Sequence, residues 1–156
     1  MGAYRIKVAK DKADLVTSLT SSDNKTGVFR HFTDVLVFAA ALGARRKKRV
    51  PLGAISKTEP GPIDIDTFVT KGYDLVIKLL AIAETKDSKI IAPNDPDSEE
   101  KRAHIFEEYA NGGLEILREE LRGAVDYTER ILLILLSERF KKTTSEPDEF
   151  DLSRFL

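Results

Sequence analysis

VFRHFTDVLVFAAALGARRKKRVPL, residues 28 to 52, joins the most apolar helical run in the first half of the chain to its densest positive charge. From Asp34 to Leu42 the residues DVLVFAAAL are apolar on every side, which predicts a helix buried by several neighbours. Its start is open between Thr26 and Thr33, since either threonine can cap. Its end is predicted at Gly43 and Ala44, followed by the cations Arg45, Arg46, Lys47, Lys48 and Arg49 and then by Pro51, which forbids further regular helix. Two readings of the basic run are open. Cations at a helix C-terminus favour the macrodipole and keep an apolar protein in solution. Five in a row also make a phosphate-binding footprint, because each cation near a nucleic-acid backbone releases condensed counterions.

Charge is divided unevenly along the 156 residues. Residues 1 to 58 carry twelve Lys/Arg against four Asp/Glu, net +8, and the remainder carries net -9. Such polarity fits a front third that meets a polyanion, and equally two halves that attract each other. The length suits one domain with a proper core. Without cysteine there is no disulfide, thiol catalysis or Cys-ligated zinc. The N-terminus MGAYRIKVAKDKAD lacks the apolar segment of a signal peptide, and no apolar run is long enough to span a bilayer. The expected location is cytoplasmic.

Around the central run the pattern predicts a mainly α single domain, residues 1 to 142, with about five helices, a short N-terminal β-strand and a tail from 143 to 156. Tyr4 to Ala9, YRIKVA, alternates with the strand period, turning Tyr4, Ile6 and Val8 one way and Arg5, Lys7 and Ala9 the other. Asp11 is placed to cap a helix through Leu19. VPLGAISKTEPGPI, residues 50 to 63, reads as an ordered loop or a flexible connector. One long helix is expected from Asp64 or Asp66, with Phe68, Gly72, Tyr73, Val76, Leu79, Leu80 and Ala83 facing inward and Leu75, Ile77 and Ile82 adding a second apolar side, so that it sits between two layers. Asp97 with Glu100, and Asp126 with Glu129, have capping-box spacing. The helix after the first pair keeps its phase through Asn111-Gly112-Gly113, where Gly113 admits a close neighbour. The helix after the second carries ILLILL, expected to be wholly buried. The tail is polar until Phe150, Leu152, Phe155 and Leu156, which either dock on their own domain or serve as a short ligand for another protein.

FAAALGARRKKRVPL (Phe38 to Leu52), LAIAETKD (Leu80 to Asp87) and IFEEYANGGLEIL (Ile105 to Leu117) resemble blocks of the accessory family called dnd system-associated protein four, found beside bacterial DNA phosphorothioation genes. The resemblance covers roughly residues 5 to 122, and IFEEYANGGLEIL is its distinctive block. It implies a cytoplasmic accessory of a system that places sulfur in the DNA backbone, or of the restriction and antiviral defence machinery that reads it. It brings no catalytic residues. The strand, helix, turn and helix of the first part are also similar in plan to a ribbon-helix-helix module, in which strands of two protomers pair and enter the major groove. On that likeness the protein is a homodimer on double-stranded DNA. Arg5, Lys7, Lys10 and Arg45 through Arg49 (Arg45, Arg46, Lys47, Lys48, Arg49) then make the contacts. The alternative is an adaptor that docks on another subunit of a modification or restriction complex through its acidic helices or through Phe150, Leu152, Phe155 and Leu156.

Catalytic constellations fail on geometry. Asp97 and Glu99-Glu100-Lys101 mimic a nuclease signature, but that chemistry needs the acid and the Glu-x-Lys on separate strands converging on a metal. Glu100, His104, Glu107 and Glu108 crowd one helix without the Glu-x-x-His pair of a di-iron site, because position 101 is Lys101. His31 has neither triad nor zinc spacing. No glycine-rich phosphate loop occurs. A non-enzymatic protein without cofactor or metal is expected.

Overall fold

The computed structural model describes residues 4–20 and 27–141. Its longest element is α5 (Pro96–Leu121), against which α2 (Phe32–Arg45) is packed most extensively. As the hydrophobic phase predicts, α5 runs unbroken through Asn111-Gly112-Gly113. Its N-cap is Asp95, two residues before the expected Asp97, which lies inside the first turn with Pro96, where a missing N–H costs nothing.

The two glycines are where α2 crosses. A Cβ at Gly113 would fall on the carbonyl of Ala39, and one at Gly112 on the carbonyl of Lys48. Helix α2 includes Gly43 and Ala44, as the sequence reading expects, runs one residue further to Arg45, and stops through left-handed Lys47 (φ 55°). There the N–H of Lys48 returns to the Gly43 carbonyl at 2.8 Å and that of Lys47 to Ala44 at 3.1 Å. Such a closing turn satisfies the last carbonyls of the helix without glycine. At its other end α2 starts at Phe32 after His31, whose backbone N–H donates to Asp34 Oδ2 at 3.1 Å; neither threonine is the cap.

The strand is shorter than its alternation suggested. β1 (Arg5–Ile6) pairs antiparallel with β2 (Ile63–Asp64), setting Arg5 opposite Asp64 and Ile6 opposite Ile63. Ile6 and Val8 are buried as the alternation predicts, but so is Ala9, since the backbone turns into a 3₁₀ turn at Lys10–Lys12 before α1 (Ala13–Ser18). Asp11 therefore lies inside that turn and caps no helix. The pairing also corrects the ribbon-helix-helix plan: β1 finds its strand partner within its own chain. Residues 50 to 63 form the ordered alternative, with Ser56 N–H bonded to the Val8 carbonyl at 2.8 Å and Val50 N–H to that of Glu108 at 3.1 Å.

The long helix expected after Asp64 is two, α3 (Ile65–Thr70) and α4 (Asp74–Thr85), and it is not covered on both apolar sides, since Leu75 and Leu79 are 61% and 55% exposed. Gly72, with φ 81°, breaks it in a conformation that side chains resist. The break lets Phe68 enter the core edge-on to Phe106, centroids 5.4 Å apart. The last helix, α6 (Tyr127–Lys141), begins as predicted: Asp126 Oδ1 accepts the N–H of Thr128 at 3.0 Å and of Glu129 at 3.3 Å. Its ILLILL run is not wholly buried. Ile131 and Ile134 are 5% and 3% exposed, whereas Leu132, Leu133, Leu135 and Leu136 are 54%, 52%, 50% and 40% exposed. A helix on the margin of a domain turns only one stripe of its 3.6-residue period inward. The segment holding Phe150, Leu152, Phe155 and Leu156 lies outside the described residues.

Candidate functional site

The closing turn of α2 sends the basic run back across α5, and helices of the acidic half meet it there. Arg45 Nε lies 3.2 Å from Glu138 Oε2. Arg46 reaches the same carboxylate with its Nε, 2.6 Å from Oε1, and puts Nη1 3.2 Å from Glu120 Oε1. Lys48 is 3.8 Å from Glu115. Arg49 divides its guanidinium between Glu84, 2.6 Å away, and Glu108, 2.7 Å away. Burial disfavours the charged guanidinium of Arg49 but is outweighed by those two carboxylates, so its pKa is raised. On the acid side, the Tyr109 hydroxyl donates to Glu84 at 2.6 Å and, with Arg49, holds that carboxyl below its usual range.

At the strand the cations are engaged as well. Arg5 pairs with Asp64 at 2.9 Å, both well exposed, a contact worth little in water. Lys7 Nζ donates to the Tyr4 hydroxyl at 2.6 Å, and its backbone N–H donates to Glu107 Oε2 at 2.7 Å. Among the described residues Lys10 and Lys47 are exposed and join no ion pair. Two of the eight residues assigned to DNA thus remain uncommitted. The acidic partners are the residues that motif reading missed. Their signal was the +8 against -9 imbalance, which says that two halves attract but not which glutamate meets which arginine.

Glu107 is the most enclosed carboxylate of this region, 3% exposed. Burial pushes its pKa up, while the Lys7 N–H, the Lys7 charge, His104 and the Tyr4 hydroxyl partly oppose that rise. His104 stands with Nδ1 3.4 Å from Glu107 and Nε2 3.8 Å from Glu100. The crowded acids and histidine are thereby tied to β1.

The distinctive IFEEYANGGLEIL block lies at the centre of this arrangement. Glu107 receives the strand, Glu108 takes Arg49, and Tyr109 holds Glu84. Asn111 accepts from buried Lys12 at 3.1 Å and donates to the carbonyls of Val50 and Pro51 at 3.3 and 3.1 Å, beside the two crossing glycines. Nearly every polar letter of the block has a structural task. The model of the DNA sulphur modification system-associated protein 4 family matches residues 5–155. The chain belongs to that family. No curated protein and no solved structure matches the chain. In this family member the basic run and the signature block are therefore two sides of one joint. No helix among the described residues is long and apolar enough to cross a membrane.

Proposed function

We propose that this family member is a non-enzymatic accessory subunit of a DNA sulphur modification system, an adaptor that docks on a larger modification or restriction subunit and does not itself hold DNA. The observation that carries the reading is the occupation of Arg45, Arg46, Lys48 and Arg49 by Glu84, Glu108, Glu115, Glu120 and Glu138. A phosphate would have to displace a carboxylate at each of them, so the gain from counterion release falls to that of the uncommitted lysines. Partner contact is assigned to Phe150, Leu152, Phe155 and Leu156, together with acidic side chains that no arginine occupies.

Salt dependence tests it. With two available cations, duplex affinity falls about tenfold between 50 and 200 mM salt; with all eight it falls about 10⁴-fold. The adaptor reading expects weak binding with the shallow slope. It also expects co-elution with co-expressed subunits of the modification system, lost when residues 150 to 156 are deleted. Tight, steeply salt-dependent DNA binding that is weakened by the combined change Arg45→Gln, Arg46→Gln, Lys47→Gln and Lys48→Gln in a folded protein overturns it.

A further inference from the structure

We propose that the outward face of α6 seats a second copy of this chain, the two helices lying antiparallel. The helix has two apolar sides. Ile131 and Ile134 point into the domain, and at 100° per residue Leu132, Leu133 and Leu136 fall together on the opposite side, with Leu135 at its margin. A contiguous leucine stripe facing water marks an interaction surface, because scattered apolar residues are ordinary and a row of them is not.

Charge selects the occupant and its direction. Glu129 stands on the stripe near its N-terminal end and Arg139 beside it near the C-terminal end; both are exposed and in no ion pair among the described residues. A second α6 turned antiparallel about the level of Ile134 sets Leu132 of one copy against Leu136 of the other. It also brings Glu129 level with Arg139 of the other copy, twice over. A parallel arrangement sets Glu129 on Glu129 and Arg139 on Arg139. The face is self-complementary in one sense only, as a two-fold interface requires. Four half-exposed leucines offer roughly 350 Å² per protomer against about 800 Å² in a standard interface, so the contact belongs to the weak, concentration-dependent class.

The inference is independent of the adaptor reading. The mass of the full-length protein, followed by sedimentation from 1 to 500 µM, tests it. The expected result is a shift from monomer to dimer within that range. Leu133→Glu with Leu136→Glu, at exposed positions, leaves the helical circular dichroism unchanged and the protein monomeric. Glu129→Arg or Arg139→Glu alone weakens the dimer at least tenfold, and the two together restore it. That rescue is specific to antiparallel self-pairing. A wild-type protein that stays monomeric throughout overturns the inference, whether its own residues 142 to 156 or a different protein covers the stripe. A dimer indifferent to the leucine and charge changes overturns it too.

Discussion

Arg46 Nε and Glu138 Oε1 stand 2.6 Å apart and tie the end of α2 to α6, a helix that packs mainly on α5. Glu138 also takes Arg45, and Arg46 also reaches Glu120, so one carboxylate and one guanidinium hold three elements together. The two side chains are mostly shielded, 21% and 14% exposed, which lifts the pair above an ordinary surface contact. Arg46→Ala is expected to cost about 1–3 kcal/mol, since it leaves Glu138 with fewer partners in a partly dry site. Urea unfolding of Arg46→Ala, Glu138→Ala and the double variant checks this. A coupling energy near zero would mean that the pair contributes nothing.

Gly113→Ala is expected to destabilise, against the usual sense of glycine to alanine in a helix. The exchange gains about 1 kcal/mol of propensity. Here the added methyl meets the Ala39 carbonyl, and prying the crossing apart costs about 1–3 kcal/mol or more. A net loss in thermal melting is the expected reading; a variant as stable as the parent would show that the helices separate freely.

Glu107 sets a pH dependence of known sign. Burial raises its folded pKa above the unfolded value of 4.5, so between those two values the folded protein binds more protons than the unfolded one. Stability therefore declines as pH rises through that window. Glu107→Gln keeps an acceptor for the Lys7 N–H and removes this decline. Stability measured from pH 4 upward should differ between the two proteins in slope within the window, and parallel curves would contradict the assignment.

Thr33 is 3% exposed, and among the described residues its hydroxyl is the one fully buried side-chain polar atom without a hydrogen-bond partner. Replacing it by the near-isosteric valine removes an unpaid desolvation. Thr33→Val is expected to raise stability by about 1 kcal/mol. Chemical denaturation decides it, and a loss of stability would imply a partner for the hydroxyl in solution.

Local chemistry was readable in the residues. Asp126 caps α6, the apolar phase carries α5 through Asn111-Gly112-Gly113, and the need for a close neighbour at Gly113 all follow from interactions a few residues apart. The single helix after Asp64 misled because Gly72 costs only about 1 kcal/mol in a helix, too little to announce a break that the docking of Phe68 rewards. ILLILL misled for a related reason: six apolar letters state that water is avoided, not whether a second surface is present to exclude it.

What the sequence by itself determined is the mainly helical class, the unbroken course of α5, the cap of α6 and the family, because these rest on short-range spacing. What only the tertiary structure decided is where the charge goes. Whether Arg46 faces solvent or Glu138 depends on two residues 92 positions apart being brought within 2.6 Å by the crossing of α2 over α5. No one-dimensional pattern of charges carries that distance.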